Sequence, residues 1–415
     1  PGTQRGKTDH RGSESREGGL MAVGTPFHPR TSVLNKSLNW RHWSGYFSAG
    51  CYDDFVQPEY AAIRNKAALI DVSPLYKYWV EGTGATDLIQ RVFTRDITKC
   101  SPMQAIYTPW CDSDGKVMQE GTVFRLDTDV YQVNAAEPSM RWLQLNSEGL
   151  AVTISDRSAT VAALALQGPT SRKILNECFK GDASGLRFFH LTEGTIGGMP
   201  VTISRTGYTG DLGYEIWISA DCAITVWDTL LDVGRRLGIT PCGILAMDVA
   251  RVEAGFILID VDYISAERAL IPEHRASPYE LGLGWAVDFD KEDFVGREAL
   301  VAESERGSVR SVVGICIDWE PLDEIHAGDN LMPDLPQLAC REPVPVYAGK
   351  DQVGRVTTRC WSTLLKKYIG IATVQARYAS YGTAVEMELT VNFRRERVPA
   401  EMVQLPHFRP ERMRA

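Results

Sequence analysis

The chain has 415 residues, 44% of them hydrophobic, and a formal net charge of -9. That length predicts two or three domains with sizeable cores. The negative balance argues against a nucleic-acid partner, because no dominant positive field attracts phosphates, and no apolar run is long enough to span a membrane.

The nine cysteines are scattered without a CxxC pair, and their odd number suits a reducing compartment, the cytoplasm, better than a disulfide framework. The seven histidines show no HExxH or paired spacing, so no bound metal is expected. Residues 1 to 21 hold almost nothing that enters a core and lack the apolar segment of a signal peptide. They read as a disordered arm or expression remnant, with Met21 as the native start.

From Thr25 to Ser73 the chain is rich in aromatics, among them Trp40, Trp43 and Tyr46, and Glu59 to Leu69 has helical spacing. Pro74 turns the chain into an alternating strand around Tyr76 to Val80. A helix near Ala85 to Phe93 precedes a hairpin whose turn is Asp112-Ser113-Asp114-Gly115, and Asp-Gly between alternating strands is a strong turn signal. Gln119, Glu120 and Phe124 follow the turn, and Arg141-Trp142 begin another helix. Val161 to Leu166 reads as a buried strand, with a helix from about Pro169 that Thr170 or Ser171 can cap.

The stretch Ile203 to Trp217, ISRTGYTGDLGYEIW, reads as strand, glycine-rich loop, strand. Its glycines permit close backbone approach, which suits lining a flat ligand. In the second strand Glu215 and Trp217 share a face, so a carboxylate and a large aromatic project together. The same pattern also suits an ordinary hairpin with a solvated glutamate. Ser219 or Asp221 can start a helix that Gly238 ends, and Ile244 to Ala254 forms another, with Met247 and Arg251 on one face. After Gly296 to Ala299, a short helix start, SVVGICI, VPVY, VGRVTT, YIGIATV, AVEMELTVNF and RVPAEMVQL read as short strands of a small barrel or sandwich. Asp323 to Pro343, punctuated by prolines, reads as an exposed loop.

ALQGPTS at 165–171, RTGYTGDLGYEI at 205–216, GILAMDVARVEAG at 243–255, SPYELGLGW at 277–285 and DFVGREAL at 293–300 resemble, in order and separation, the aminomethyltransferase family. That family includes the glycine-cleavage T-protein and folate-dependent demethylases, and the resemblance runs over nearly all of residues 25 to 409. It implies an α+β, three-domain folate-binding fold with a C-terminal β-barrel. The expected parts are a central α/β domain at 22–78 plus 150–265, a second α/β domain at 79–149, a connecting segment at 266–299, and the barrel at 300–409.

The resemblance also implies tetrahydrofolate as cofactor, with Glu215 holding the pterin ring. A carboxylate offers two acceptor oxygens to adjacent N–H donors, a bidentate fit that a backbone carbonyl does not reproduce. Glu120 occupies the place of the family's key aspartate, one methylene longer and beside Gln119 instead of a second acid. The extra bond moves the head group by roughly 1 to 1.5 Å, enough to alter catalysis at fixed geometry. An exposed glutamate beside a hairpin is the alternative.

Tyr107, Phe124, Trp217 and Met247 complete the expected cofactor set. Trp43, Tyr46 and Trp110 are expected at the substrate as an aromatic wall, where a methyl-ammonium or methyl-sulfonium gains about 0.5–2 kcal/mol per good cation–π contact. Ordinary core packing is the alternative for each ring. Met247 replaces the arginine usual before Asp248, and a thioether cannot pair with a carboxylate. Pro74 stands where many relatives have histidine. Arg251 lies three residues from Asp248, the spacing of a local helical pair. Arg394, Arg395, Arg397 and Arg409 are candidates for a folate tail or a solvated basic face.

The function these features imply is a tetrahydrofolate-dependent one-carbon transferase that demethylates a small N-, S- or O-methylated donor to give 5-methyl-tetrahydrofolate. One alternative is the glycine-cleavage reaction, forming 5,10-methylene-tetrahydrofolate and ammonia from a small aminomethyl group on a lipoyl carrier protein. Another is a non-catalytic folate binder, against which stands the absence of a KGCYxGQE signature.

Overall fold

The computed structural model describes residues 22–183 and 185–414, so the N-terminal arm expected from the sequence lies outside the described residues. A seven-stranded sheet forms the middle of the molecule. Its inner strand Val161–Gln167 pairs antiparallel with Gly213–Ser219 on one side and Ala67–Asp71 on the other. Alternation along this strand explains two helix layers. Ala163 and Ala165 face the cluster that takes in the helices Gln57–Asn65 and Ile244–Glu253. Ala162, Leu164 and Leu166 face the helices Ser171–Cys178 and Ala223–Gly234. A strand covered on both faces reads as an apolar run, as this one does.

Between Ala67–Asp71 and Val161–Gln167 the chain leaves to build a separate five-stranded antiparallel sheet, in the order Gln104–Cys111, Val117–Asp127, Val130–Ala135, Tyr76–Glu81, Thr153–Asp156. Tyr78, Ile106, Trp110, Val123 and Val133 pack one face of it against the helices Ala85–Val92 and Met140–Asn146. The register places Tyr107, Thr122, Asn134 and Lys77 side by side on the opposite face, together with Ala105 and Phe124. A third, small sheet joins Val23–Gly24, Tyr46–Ala49 and Trp40–Trp43. Its hairpin tip reaches the second sheet, where Ser44 Oγ donates to the Ala136 carbonyl.

The six C-terminal strands close into a barrel. Cys360, Ile369 and Ile371 on its outer wall join the cluster beneath the helix Ile244–Glu253. Among the described residues no helix is long and apolar enough to cross a membrane.

Several expectations are corrected. Helix was expected from Glu59 to Leu69, but the helix ends at Asn65 and Ala67–Asp71 is a strand paired with the central one. Asp323–Pro343 is not all loop, because a helix occupies Trp319–Gly328. The helix after Ser219 begins as a short 3-10 turn, Ala220–Cys222, before Ala223–Gly234.

Candidate functional site

The glycine-rich loop is held from beneath by Gln167. Its Nε2 donates to the carbonyls of Thr206 at 3.3 Å and Tyr214 at 3.2 Å, while its Oε1 accepts from Thr209 Oγ1 at 2.9 Å. A Cβ on Gly207 or on Gly213 would lie 2.2 Å from Gln167 Oε1. Those two glycines thus admit the glutamine amide rather than an external ligand, which differs from the expectation for a ligand-lining loop.

Glu215 leaves this loop on the strand Gly213–Ser219, beside Trp217. Trp217 Nε1 donates to Ser204 Oγ at 3.0 Å, Ser204 Oγ lies 2.7 Å from Thr206 Oγ1, and Thr206 donates to Glu215. Thr206 has one proton and spends it on Glu215, so Ser204 must donate to Thr206. The relay therefore runs toward the carboxylate and orients it. Burial raises the Glu215 pKa, and the Thr206 and Ser204 hydroxyls pull it partly back. The residue keeps some accessible surface, as a cavity-lining group does.

Phe124 meets Trp217 edge to face with ring centroids 5.3 Å apart. This contact joins the second sheet to the first, and Trp43 and Met247 pack against the same cluster. Four of the expected residues, Trp43, Phe124, Trp217 and Met247, thus surround one apolar region. Tyr46 is buried on the neighbouring strand of the hairpin that carries Trp43. Trp110 lies elsewhere: it packs in the other core of the second sheet, edge to face with Phe93 at 5.2 Å. Its side chain points away from Tyr107 because the two are three positions apart on one strand.

Glu120 lies on the strand Val117–Asp127, opposite Pro109, and accepts from Tyr263 Oη at 3.3 Å. Burial raises its pKa from 4.5 to about 8, and hydrogen bonds from Tyr263 and Tyr107 oppose the rise. Tyr208 stands near enough to feel its charge, and its hydroxyl donates to the Ile257 carbonyl. Among the described residues no cation contributes to the Glu120 balance. The result is a recessed carboxyl surrounded by phenols, neutral near pH 7 while nothing positive adjoins it. Tyr107 stacks on Trp285 at 6.2 Å, whose 63% exposure marks the rim, and the Arg95 guanidinium lies 5.5 Å from the Trp285 ring.

The sequence reading missed Tyr208, Tyr263 and Trp285. Tyr208 and Trp285 stood inside quoted motifs, so position within a motif was the available signal. Tyr263 carried none, since the chain returns to Glu120 only in three dimensions. Arg251 pairs with Asp248 at 2.8 Å, as the spacing predicted, and also with Asp262. Arg394, Arg395 and Arg397 pair with Asp329, Glu388 and Glu386 on the barrel surface, the arrangement of a solvated basic face.

Comparison with known proteins agrees with this fold. Residues 30–291 match the GCVT N-terminal domain and 330–408 the glycine cleavage T-protein C-terminal barrel domain. An aminomethyltransferase of Halothermothrix orenii is 34% identical over 352 residues, covering 84% of this chain and 90% of that one. A trimethylamine-oxide aldolase of Ruegeria pomeroyi is 31% identical over 408 residues, covering 95% of this chain but 48% of that longer one. The crystal structure of the glycine cleavage system aminomethyltransferase T from Bartonella henselae shares the fold with a TM-score of 0.78, at 20% identity over 93% of this chain and 98% of that one. The chain belongs to the glycine-cleavage T-protein, or aminomethyltransferase, family and is an enzyme of its tetrahydrofolate-dependent transferase type.

Proposed function

We propose that the enzyme takes a methyl group from a small methylated cation and gives 5-methyl-tetrahydrofolate. The observation that carries this reading is the recessed Glu120, ringed by Tyr107, Tyr208 and Tyr263 and without a cationic partner. Such a carboxyl is the electrostatic complement of an ammonium or sulfonium, and bringing one alongside favours its ionised form. The phenol rings add cation–π attraction.

The features that support binding of a reduced folate are Glu215, oriented by its hydroxyl relay, and the apolar pair Phe124 and Trp217 beside it. When bound, tetrahydrofolate supplies the nitrogen nucleophile, so that a nitrogen–carbon bond forms as the donor's methyl–heteroatom bond breaks and its electron pair leaves with the neutral donor. Glu120, ionised beside the cation, accepts the proton that the methylated nitrogen sheds. With a methyl ether as donor, the neutral form of Glu120 would instead protonate the departing oxygen. Side chains around Glu120 and Glu215 hold both partners in line, which converts a bimolecular displacement into an effectively unimolecular one.

The relatives named aminomethyltransferase favour a second reading, in which an aminomethyl group arrives on a lipoyl carrier protein and Glu120 stabilises the iminium formed as ammonia leaves. Cation recognition by Glu120 is tested by titrating tetramethylammonium into enzyme saturated with tetrahydrofolate. Glu120→Gln should weaken binding by about tenfold or more, the scale of a lost charged partner. Equal affinity in the two proteins contradicts the reading.

A further inference from the structure

The helix Ile244–Glu253 presents Asp248 to two arginines. One carboxylate oxygen accepts from Arg251 Nε at 2.8 Å, the other from Arg341 Nε at 2.8 Å. The two guanidinium groups are otherwise unlike. Arg251 is fully buried, and its other nitrogens are taken by Asp262, Thr358 Oγ1 and the Phe256 carbonyl. No ligand can reach it. Arg341 keeps 43% of its side chain exposed, and among the described residues the bond through Nε is its only hydrogen bond.

The backbone holds Arg341 in place. Cys340 exchanges both hydrogen bonds with Arg359, at 2.8 and 3.0 Å, and the Arg359 guanidinium donates to the Glu342 carbonyl. Both neighbours of Arg341 are thus pinned to the barrel strand Asp351–Ser362. With Nε fixed by Asp248, the guanidinium is oriented before any ligand arrives, which lowers the entropy lost on binding.

Asp248 links this group to the residues around Glu120 and Glu215. Asp248 lies close enough to Tyr208 to affect its hydroxyl, as Glu120 does. Met247, the residue before Asp248, packs against the cluster that holds Phe124 and Trp217. A half-exposed guanidinium with two uncommitted Nη groups matches the planar, two-oxygen edge of a carboxylate.

We propose that Arg341 recognises a carboxylate on the ligand through its Nη edge: either the acidic tail of the reduced folate or the carboxyl group of a carboxylated methyl donor. The proposal rests on the one-carbon reading above.

The test compares wild type, Arg341→Ala and Arg341→Lys against four probes: tetrahydrofolate, carboxylate-free 6-methyl-tetrahydropterin, dimethylglycine and tetramethylammonium. If the folate tail is the target, Arg341→Ala weakens tetrahydrofolate by about tenfold, Arg341→Lys recovers part of the loss, and 6-methyl-tetrahydropterin is unaffected. If the donor is the target, dimethylglycine weakens by a similar factor while tetramethylammonium does not. Either pattern supports the proposal. Unchanged affinity for both carboxylated probes overturns it, and so does an equal loss for probes with and without a carboxylate, since that reports a merely structural role. Wild type that binds neither tetrahydrofolate nor the pterin would overturn the folate reading instead, and the dimethylglycine comparison would still decide the role of Arg341.

Discussion

Glu120 and Glu215 are both carboxyls whose pKa is raised by burial, yet they are provided for differently. Glu215 receives a directed relay from Trp217 through Ser204 and Thr206, whereas Glu120 has only weakly placed phenols. In the proposed folate complex, replacing Glu215 by Gln turns one acceptor into a donor against the pterin edge, so tetrahydrofolate affinity should fall by roughly 1–3 kcal/mol in a calorimetric titration. Glu120 has a pH signature. Its folded-state pKa of about 8 exceeds the ordinary 4.5, so the folded protein keeps a proton that the unfolded chain releases. Its contribution to stability is greatest below pH 4.5 and is lost as pH rises through 8. The melting temperature of Glu120→Gln relative to wild type should therefore climb between pH 5 and pH 8 in the ligand-free enzyme, and a flat difference would contradict the assignment. Both glutamates were legible as candidates only through the family resemblance, since an alternating strand beside a turn equally suits a solvated glutamate. Trp110 was misplaced although the signal was present: positions 107 and 110 on one strand have opposite faces.

At the scale of elements, the glycine-rich loop depends on a residue of another strand. Gln167 sits at the end of Val161–Gln167 and satisfies two carbonyls and a hydroxyl of the loop, all buried. Gln167→Leu preserves volume but leaves those groups unpaired, so a loss of about 1–3 kcal/mol is expected in urea unfolding, with weakened folate binding as the loop loosens. The sequence showed strand, loop and strand here, and the hairpin at Asp112–Gly115, because glycine and Asp-Gly punctuate strongly. It could not show what the glycines admit, since Gln167 lies some forty residues upstream. The helix expected through Leu69 failed for a related reason: AALID is a short apolar run compatible with helix or strand, and only pairing with Val161–Gln167 decides.

For the whole molecule, the barrel is tied to the body by a buried hydrogen bond to a charged group as well as by apolar contacts. Glu253 accepts from Arg64 at 2.7 Å and from the hydroxyls of Tyr60 and, on the barrel, Ser362. Glu253→Ala would leave Arg64 buried with Asp211 as its remaining carboxylate at 3.3 Å. Breaking a buried pair in this way costs about 3–5 kcal/mol, measurable as a lower urea midpoint. All six barrel strands were readable as alternating segments between Gly and Pro turns, but closure was not, because strand order is a long-range property. The way the second sheet and the glycine-rich loop meet at Phe124 and Trp217 was likewise hidden until the fold brought them together. The proposed chemistry of the enzyme is methyl transfer to a reduced folate. The most direct measurement is the mass of the folate formed when the enzyme is incubated with tetrahydrofolate and a panel of methylated ammonium, sulfonium and ether donors, with an aminomethylated lipoyl carrier in parallel. The account predicts 5-methyl-tetrahydrofolate from at least one methylated donor; 5,10-methylene-tetrahydrofolate and ammonia from the carrier alone, with no methyl-folate from any donor, would contradict it.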